Sequence, residues 1–229
     1  MDYNELISCF QDTIKMSEDE LQDATLEAID NTCVLKENIY EEVFENSNVK
    51  IEERPEDADV FVEVNTTFAT AKEYLQDGKV AVLNFANPIC PGGGVQNGAI
   101  AQEECLCRSS NLYCCLREEK VFEDYYLYHR KMDHYLSTDR LIYSKDITVF
   151  KNDNRIPALM PARNWFQVDV ITCAAPYLIG NVNIDQNSLK RVFLKRIQNI
   201  LDAAILNQVD TIILGAFGCG AFKNPPDLV

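Results

Sequence analysis

No stretch of the sequence approaches the roughly 18 consecutive apolar residues that a membrane-spanning helix needs. The N-terminus, Met1-Asp2-Tyr3-Asn4-Glu5, lacks both the basic region and the apolar region of a secretory signal. Internal repeats and low-complexity tracts are also absent. In a chain of 229 residues that is 47% hydrophobic, these absences predict one globular protein with a sizeable core, cytoplasmic or otherwise intracellular.

Histidine is scarce, since only His129 and His134 are present. The nine cysteines do not form the two CxxC motifs that a zinc ribbon uses. An odd cysteine count without a secretion signal also argues against a disulfide framework. Five of the cysteines lie close together in the sequence: Cys90, Cys105, Cys107, Cys114 and Cys115. We expect reduced, mostly buried thiols rather than structural zinc, and we expect neither a metal nor a cofactor.

Positive charge is in deficit, with 21 Lys and Arg against 36 Asp and Glu and a formal net charge of −15. Binding to duplex nucleic acid through counterion release requires the opposite sign. A protein of this composition that binds an anion must therefore do so locally, through backbone N–H groups. We expect neither duplex nucleic acid nor a membrane as a partner.

The N-terminal part of the chain has a helical pattern. Apolar residues recur on one face of a predicted helix over residues 2–16. Residues 17–20, Ser-Glu-Asp-Glu, have the form of a capping box that starts a second helix. We expect residues 1–35 to be a helical extension packed on a single catalytic domain that spans residues 36–229.

The rest of the chain alternates between strand and helix patterns. Strands are predicted at 49–51, 60–64, 79–85, 168–174 and 211–215, helices at 67–76 and 187–207, and a pair of strands at 141–143 and 147–150. This pattern predicts an α/β sandwich with helices on both faces of a mixed sheet. Ligands of such sheets bind beyond the carboxyl ends of the strands, so loops 86–99, 175–180 and 215–226 are expected to line one crevice.

The first loop contains three successive glycines, Gly92, Gly93 and Gly94. Such a run marks left-handed backbone or the close approach of another group, and it can form a nest of N–H groups for phosphate. An ordinary flexible turn is the alternative interpretation. No Gly-Lys-Ser/Thr follows, so this is not a Walker loop.

Seven residues after Gly94 comes the triplet Gln102-Glu103-Glu104. One carboxylic acid can protonate a leaving oxygen while a second holds sugar hydroxyls. The alternative is structural: Glu104 and Arg108 are spaced as a surface ion pair, and Glu103 could cap the start of the helix.

The third loop, 215–225, spaces Gly218, Cys219 and Gly220 at the end of a predicted buried strand. This spacing is compatible with a phosphate cradle. Phe217 and Phe222 are core residues by default, although either could pack against a sugar or a base.

Taken together, Asn-Phe-Ala-Asn at 84–87, Pro-Gly-Gly-Gly at 91–94 and the later Gln-Glu-Glu resemble the poly(ADP-ribose) glycohydrolase family, and more closely its microbial, macrodomain-only branch. The similarity extends over 106–113, 142–144, 168–176 and 215–225. It implies a macrodomain-like three-layer α/β/α sandwich. It also implies hydrolysis of the ribose–ribose 1″–2′ O-glycosidic bond, mainly from the chain end, with release of ADP-ribose.

The resemblance also implies residue roles. Glu104 would be the acid/base and Glu103 would hold ribose hydroxyls. The implied substrate-binding residues are Asn87, Gly92, Gly93, Gly94, Gln102, Gly218, Cys219, Gly220 and Phe222, with the glycine loops on the diphosphate, Asn87 on the distal ribose and Phe222 on the terminal ribose. A helix N-terminus favours an ionised carboxylate, so we expect the protonation of Glu104 to be coupled to substrate binding.

The family continues through another helix and strand after the point where this chain stops at Val229, so the resemblance implies a truncated C-terminal end. Two other functions remain open. The chain could be a non-catalytic ADP-ribose-binding macrodomain, although the presence of both carboxylates argues against this. It could also hydrolyse mono-ADP-ribosylated protein or nucleic acid. The implied partner is poly(ADP-ribose) or ADP-ribosylated protein, bound by a monomer.

Overall fold

The computed structural model describes residues 3–39, 58–132, 135–180 and 182–229. In these ranges a mixed sheet is built from β1 (Thr32–Leu35), β2 (Val80–Phe85), β3 (Leu141–Val149), β4 (Phe166–Cys173) and β5 (Thr211–Ile213). The strand order is β1-β3-β4-β2-β5. Strand β3 is antiparallel to both of its neighbours, whereas β2 is parallel to β4 and to β5.

The helices cover both faces of this sheet. They are α1 (Tyr3–Glu18), α2 (Gln22–Asp30), α3 (Thr67–Tyr74), α4 (Gln102–Ser109), α5 (Leu112–Leu116), α6 (Glu119–Val121), α7 (Tyr128–Arg130) and α8 (Gln186–Leu206). A π-helical segment, Phe122–Leu127, joins α6 to α7. No helix in the described ranges is both long enough and apolar enough to cross a membrane.

Two apolar clusters fill the space between the sheet and the helices. Val82 of β2 belongs to the cluster that contains Phe10 of α1, whereas its neighbour Leu83 belongs to the cluster that contains Phe193 of α8. Successive residues of a strand point to opposite faces, so both faces of β2 are buried. The α/β/α sandwich expected from the sequence is therefore confirmed, and each fully buried valine or leucine side chain contributes about 1.5–3 kcal/mol.

The predicted capping box at 17–20 is wrong. Helix α1 continues to Glu18, and Ser17 is buried inside it with its hydroxyl donating to the Thr13 carbonyl at 2.8 Å. Helix α2 begins after Leu21, which makes no side-chain capping bond. Burial of the last turn of α1 outweighs the local capping preference of the Ser-Glu-Asp-Glu sequence.

Two strand predictions also differ from the structure, and a third, at 49–51, lies outside the described residues. The predicted strand at 60–64 is irregular and exposed, with Val62 at 95% relative exposure. Alternating apolar residues form a strand only when a neighbouring strand pairs with them, and the described ranges provide none here. The predicted pair at 141–143 and 147–150 is a single strand, β3, that is interrupted by a bulge between Ser144 and Ile147.

The N-terminal segment is joined to the rest of the fold. The Thr13 hydroxyl of α1 donates to the Arg108 carbonyl of α4 at 2.6 Å. Residues 32–35 form β1, which pairs with β3 at one end of the sheet. The segment predicted to be a helical extension therefore also supplies a strand of the central sheet.

Candidate active site

The loops that follow β4 and β5 form one rim beyond the carboxyl ends of the parallel strands. The Asn224 amide donates to the Pro176 carbonyl at 2.8 Å and to the Gly218 carbonyl at 3.0 Å. The Leu178 N–H donates to the Phe222 carbonyl at 2.9 Å. These bonds bring loops 175–180 and 215–226 together, as the sequence predicts.

The two phenylalanines of the third loop have different environments. Phe217 is buried and packs on Phe85 at the end of β2 and on Phe193 of α8, with ring centroids 5.9 and 6.2 Å apart. Its default assignment to the core is confirmed. Phe222 is half-buried and meets the exposed Tyr177 ring edge-on at 5.2 Å, which leaves it at the rim of the crevice.

Gln102 fastens the start of α4 to the end of β2. Its side-chain oxygen accepts the Phe85 N–H at 2.9 Å, and its amide nitrogen donates to the Leu83 carbonyl at 2.8 Å and to the Thr67 hydroxyl at 3.3 Å. Both polar atoms of this side chain are therefore used within the protein. These bonds hold the start of α4 against β2, and the substrate contact that the resemblance implies for Gln102 stays a prediction.

Glu103 lies beneath the first loop with only 3% of its surface exposed. Its Oε2 accepts the Asn87 N–H at 2.7 Å, and its Oε1 faces the Asn84 amide nitrogen at 3.5 Å. The suggestion that Glu103 merely caps α4 is wrong, because the carboxyl receives its close backbone hydrogen bond from the loop that follows β2.

The pKa of Glu103 is raised from the ordinary 4.5 to about 8. Burial is the largest cause, since it disfavours the charged form. The neighbouring Glu104 carboxylate also raises the pKa, whereas the N–H groups of Asn87 and Gly92 and the Asn84 amide lower it. Near neutral pH, Glu103 therefore retains its proton.

Glu104 is also buried, at 7% exposure, and is held from one side only. Its Oε1 accepts the Gly94 N–H at 2.8 Å. Its Oε2 is buried and has no hydrogen-bond partner among the described residues. The predicted surface ion pair with Arg108 is wrong, because the Arg108 side chain is also buried, with its guanidinium 3.9 Å from the Cys105 sulfur.

The three glycines allow the backbone to approach these carboxyls closely. Gly92 and Gly93 have φ values of 65° and 57°, in the left-handed region. A Cβ on Gly93 would lie 2.4 Å from Glu104 Oε1. The N–H of Gly93 donates to the Cys90 carbonyl and that of Gly94 to Glu104, while the Gly92 N–H lowers the pKa of Glu103. The loop therefore positions the carboxyls directly, a role that the sequence did not indicate.

Asn87 shapes the same loop. Its side-chain oxygen accepts the N–H groups of Ile89 and Cys90, both at 3.0 Å, in the manner of an Asx turn. In the third loop, neither Gly218 nor Gly220 donates its N–H to another described backbone group, and a Cβ on Gly220 would meet nothing within 4 Å. The Cys219 N–H between them donates to the Ala216 carbonyl at 3.1 Å.

The cysteines lie in several environments. Cys9, Cys107, Cys114, Cys115 and Cys173 are buried, and burial raises their pKa values. Across the described ranges, no group of three or more His, Cys, Asp and Glu side chains is arranged to hold a metal ion.

A cavity of about 420 Å³ lies away from these residues, between α8 and the segment that follows α7. Its lining includes Arg191, Lys195 and Arg196, and the last two form ion pairs with Asp139. None of the predicted site residues lines it. The cavity is therefore separate from the buried carboxyl pair and from the glycine loops.

Sequence reasoning missed two members of the site. Asn84 and Thr172 are fully buried, adjacent in the register of β2 and β4, and joined by a bond of 3.1 Å from the Asn84 amide to the Thr172 hydroxyl. Both are polar residues in buried, mostly apolar strands, a pattern that marks either a satisfied hydrogen-bond network or a functional site.

Two buried carboxyls at the carboxyl edge of parallel strands, held by backbone N–H groups beside a second glycine loop, define an acid–base hydrolase site of the glycosidase type. The family model for the catalytic domain of microbial-type PARG matches residues 10–152, more than half of the sequence. The chain belongs to this family, the microbial-type poly(ADP-ribose) glycohydrolases.

Solved structures agree with this assignment. The poly(ADP-ribose) glycohydrolase of Thermomonospora curvata is 29% identical, with a TM-score of 0.84 over 99% of this chain and 84% of that chain. The same enzyme bound to the inhibitor ADP-HPD is 28% identical, with a TM-score of 0.81 over the same shares. The Deinococcus radiodurans enzyme in complex with ADP-ribose is 31% identical, with a TM-score of 0.75 over 89% of this chain and 79% of that chain. No curated protein matches significantly.

Proposed function

We propose that this chain hydrolyses the 1″–2′ ribose–ribose bond of poly(ADP-ribose), mainly from the chain end, and releases ADP-ribose. Family membership and the similarity to glycohydrolases solved with ADP-ribose and with an inhibitor support the substrate class. The observation that carries the proposal is the environment of Glu104: one carboxyl oxygen is fixed by the Gly94 N–H, and the other is buried without a partner.

The free oxygen of Glu104 gives the acid/base group a place to exchange a proton. In the first step Glu104 donates a proton to the leaving 2′ oxygen while the bond to C1″ breaks and an oxocarbenium-like centre forms. In the second step the Glu104 carboxylate takes a proton from the water that adds to C1″. The carboxyl is thereby regenerated in its protonated form.

The first step needs a proton on Glu104. Glu103 retains its proton near neutral pH because its pKa is raised to about 8 by burial and by its neighbour. Substrate phosphates and the exclusion of water favour the neutral form of a carboxyl further. We therefore expect substrate binding to favour protonated Glu104, with Glu103 holding the ribose hydroxyls.

The remaining residues would orient one terminal ADP-ribose. The N–H groups of Gly218 and Gly220 would face the diphosphate, with the outer surface of loop 92–94 completing that subsite. The Asn87 side chain would contact the distal ribose through its amide nitrogen, since its oxygen is used in the loop. Phe222 would pack against the terminal ribose from the rim.

The net charge of −15 limits attraction for the rest of the polyanion, which favours recognition of one terminal unit. Hydrolysis of polymers with a blocked terminal ribose, compared with free ends, tests this preference: equal rates would contradict it. We further propose an intracellular monomer, and light scattering of the purified chain checks the oligomeric state.

Glu104→Gln is the decisive variant. We expect kcat on poly(ADP-ribose) to fall by about 10²–10⁴-fold, while calorimetry still detects ADP-ribose binding. Glu27→Gln removes an exposed carboxylate of α2 and serves as the matched charge control. Wild-type kcat in Glu104→Gln would overturn the assignment.

Product chromatography with mono-ADP-ribosylated protein, run in parallel with poly(ADP-ribose), decides between acceptors. ADP-ribose release from the polymer alone supports the proposal. Binding without turnover on either substrate would instead indicate a non-catalytic module.

A further inference from the structure

A backbone hydrogen bond determines which of the two carboxyl oxygens of Glu103 can carry the proton. Oε2 accepts the Asn87 N–H at 2.7 Å. A backbone N–H can only donate, and a carbonyl-type oxygen accepts better than the hydroxyl oxygen of a neutral acid. The proton of neutral Glu103 therefore belongs on Oε1, which is the atom that faces Asn84.

Asn84 is held against Glu103 by the sheet. It is the register partner of Thr172 across β2 and β4, and both side chains are fully buried. The Asn84 amide nitrogen donates to the Thr172 hydroxyl at 3.1 Å and lies 3.5 Å from Glu103 Oε1. Asn84 Oδ1 is buried and has no hydrogen-bond partner among the described residues.

This orientation suits a carboxylate but not a carboxylic acid. With a proton on Oε1, two donors would face each other across the contact. Rotating the amide by half a turn places Oδ1 there instead, where it accepts the Glu103 proton, and the Thr172 hydroxyl can turn to donate to the same oxygen. A primary amide is the side chain that offers a donor and an acceptor in one planar shape.

We propose that Asn84, held by Thr172, is a positioning residue that serves both protonation states of Glu103 by rotating its amide. When Glu103 loses the proton from Oε1, the rotation returns a donor to the new carboxylate. The inference rests on the proposed function for its catalytic meaning, but the rotation itself is a property of the free protein.

Among the groups around Glu103, Asn84 with Thr172 provides the contact that can change when Glu103 gains or loses its proton. Among the largest influences on the pKa of Glu103, the Glu104 carboxylate is the charged group. Three further groups interact electrostatically with Glu103: Cys107 of α4, and Tyr125 and Tyr126 of the π-helical segment. Burial raises the pKa of each well above its ordinary value. These three groups therefore stay neutral while Glu103 titrates.

The first test needs no variant. In the free wild-type protein, the side-chain carboxyl carbon of Glu103 and the side-chain amide group of Asn84 are followed by NMR from pH 5 to pH 10. We expect the two sets of signals to titrate with one shared midpoint. An Asn84 amide that does not respond while Glu103 titrates would overturn the proposal, whether or not the chain has glycohydrolase activity.

The second test removes the amide. Asn84→Leu removes the hydrogen bond from both forms of Glu103. The bond to the charged form is the stronger of the two, so we expect the pKa of Glu103 to rise by about one unit. In an active enzyme the alkaline limb of the kcat–pH profile should move by the same amount. Asn111→Leu is the matched control, because Asn111 is another buried asparagine bonded to a threonine hydroxyl, that of Thr25 at 3.3 Å.

If Asn84→Leu does not fold, Asn84→Asp replaces it. An aspartate accepts the Glu103 proton and opposes the second charge, so the pKa of Glu103 should again rise. An unchanged Glu103 titration in a folded Asn84 variant, or an equal shift in Asn111→Leu, would overturn the positioning role. Absence of turnover in the wild-type chain would count against the proposed function alone.

Discussion

Replacement of Gly93 by alanine tests whether the glycine loop positions the catalytic carboxyl. A Cβ at this residue would lie 2.4 Å from Glu104 Oε1 and 3.1 Å from Glu103 Oε2. Unstrained contacts between such atoms begin near about 3.5 Å, so the Glu104 carboxyl has to move by about 1 Å. That movement breaks or lengthens the bond from the Gly94 N–H to Glu104 Oε1.

The size of the effect follows from two separate costs. Left-handed backbone costs an alanine roughly 1–2 kcal/mol in stability, and Gly93 has a φ of 57°. A shift of about 1 Å in a catalytic group can cost on the order of 10²-fold in rate, equivalent to about 2.7 kcal/mol in the activation barrier. We therefore expect a modest loss of stability and a much larger loss of kcat.

The assay compares kcat on poly(ADP-ribose) and thermal stability in Gly93→Ala and Gly180→Ala. Gly180 has a φ of 89°, and a Cβ there would meet nothing within 4 Å, so its variant measures the backbone cost without a carboxyl contact. The two variants should lose similar stability. If Gly93→Ala kept kcat within about threefold of wild type, the positioning argument would be refuted.

Three further predictions concern the carboxyl pair and its supports. In the folded state Glu103 binds its proton more tightly than an ordinary carboxyl, so its contribution to stability is full below about pH 4.5 and is lost as pH rises to about 8. Calorimetry should show that wild-type Tm falls relative to that of Glu103→Gln across this window, and parallel curves would contradict the raised pKa. Gln102→Ala loses three hydrogen bonds and should lower the free energy of unfolding by about 1–3 kcal/mol in urea titrations, together with kcat; an unchanged kcat would argue against its positioning of α4. Asn224→Ala releases the contact between the second and third loops, so KM should rise more than kcat falls, with weaker ADP-ribose binding in calorimetry; unaltered affinity would show that the rim is held by other contacts.

The elements that the sequence predicted well are those with a strong local pattern. The run from Val80 to Leu83 is apolar at every position, which indicates burial on both faces, and β2 is buried on both faces. The long helix predicted at 187–207 is α8, Gln186–Leu206, with its start capped by Asp185. In these segments the apolar pattern of the sequence matches the burial in the fold. Tertiary contacts therefore favour the same structure as the local preference of the chain.

The details that escaped prediction depend on residues far apart in the chain. The contact between Asn84 and Thr172 joins positions 88 residues apart and exists because of the strand register. The raised pKa of Glu103 depends on burial beneath a loop whose path a sequence does not specify. The segment at 60–64 shows the converse: a local strand pattern does not form a strand where the described residues offer no neighbour to pair with.

Inhibitor design depends on how the first loop uses its backbone N–H groups, those of Gly92, Gly93 and Gly94. The Gly94 N–H donates to Glu104 and the Gly93 N–H to the Cys90 carbonyl, while the Gly92 N–H favours the charged form of Glu103. A phosphate mimic aimed at them would have to displace Glu103 or Glu104 before it gained a hydrogen bond. A compound selective for this site would do better to present a neutral acceptor to Glu104 and to place its anionic group at the N–H groups of Gly218 and Gly220, which donate to no described backbone group.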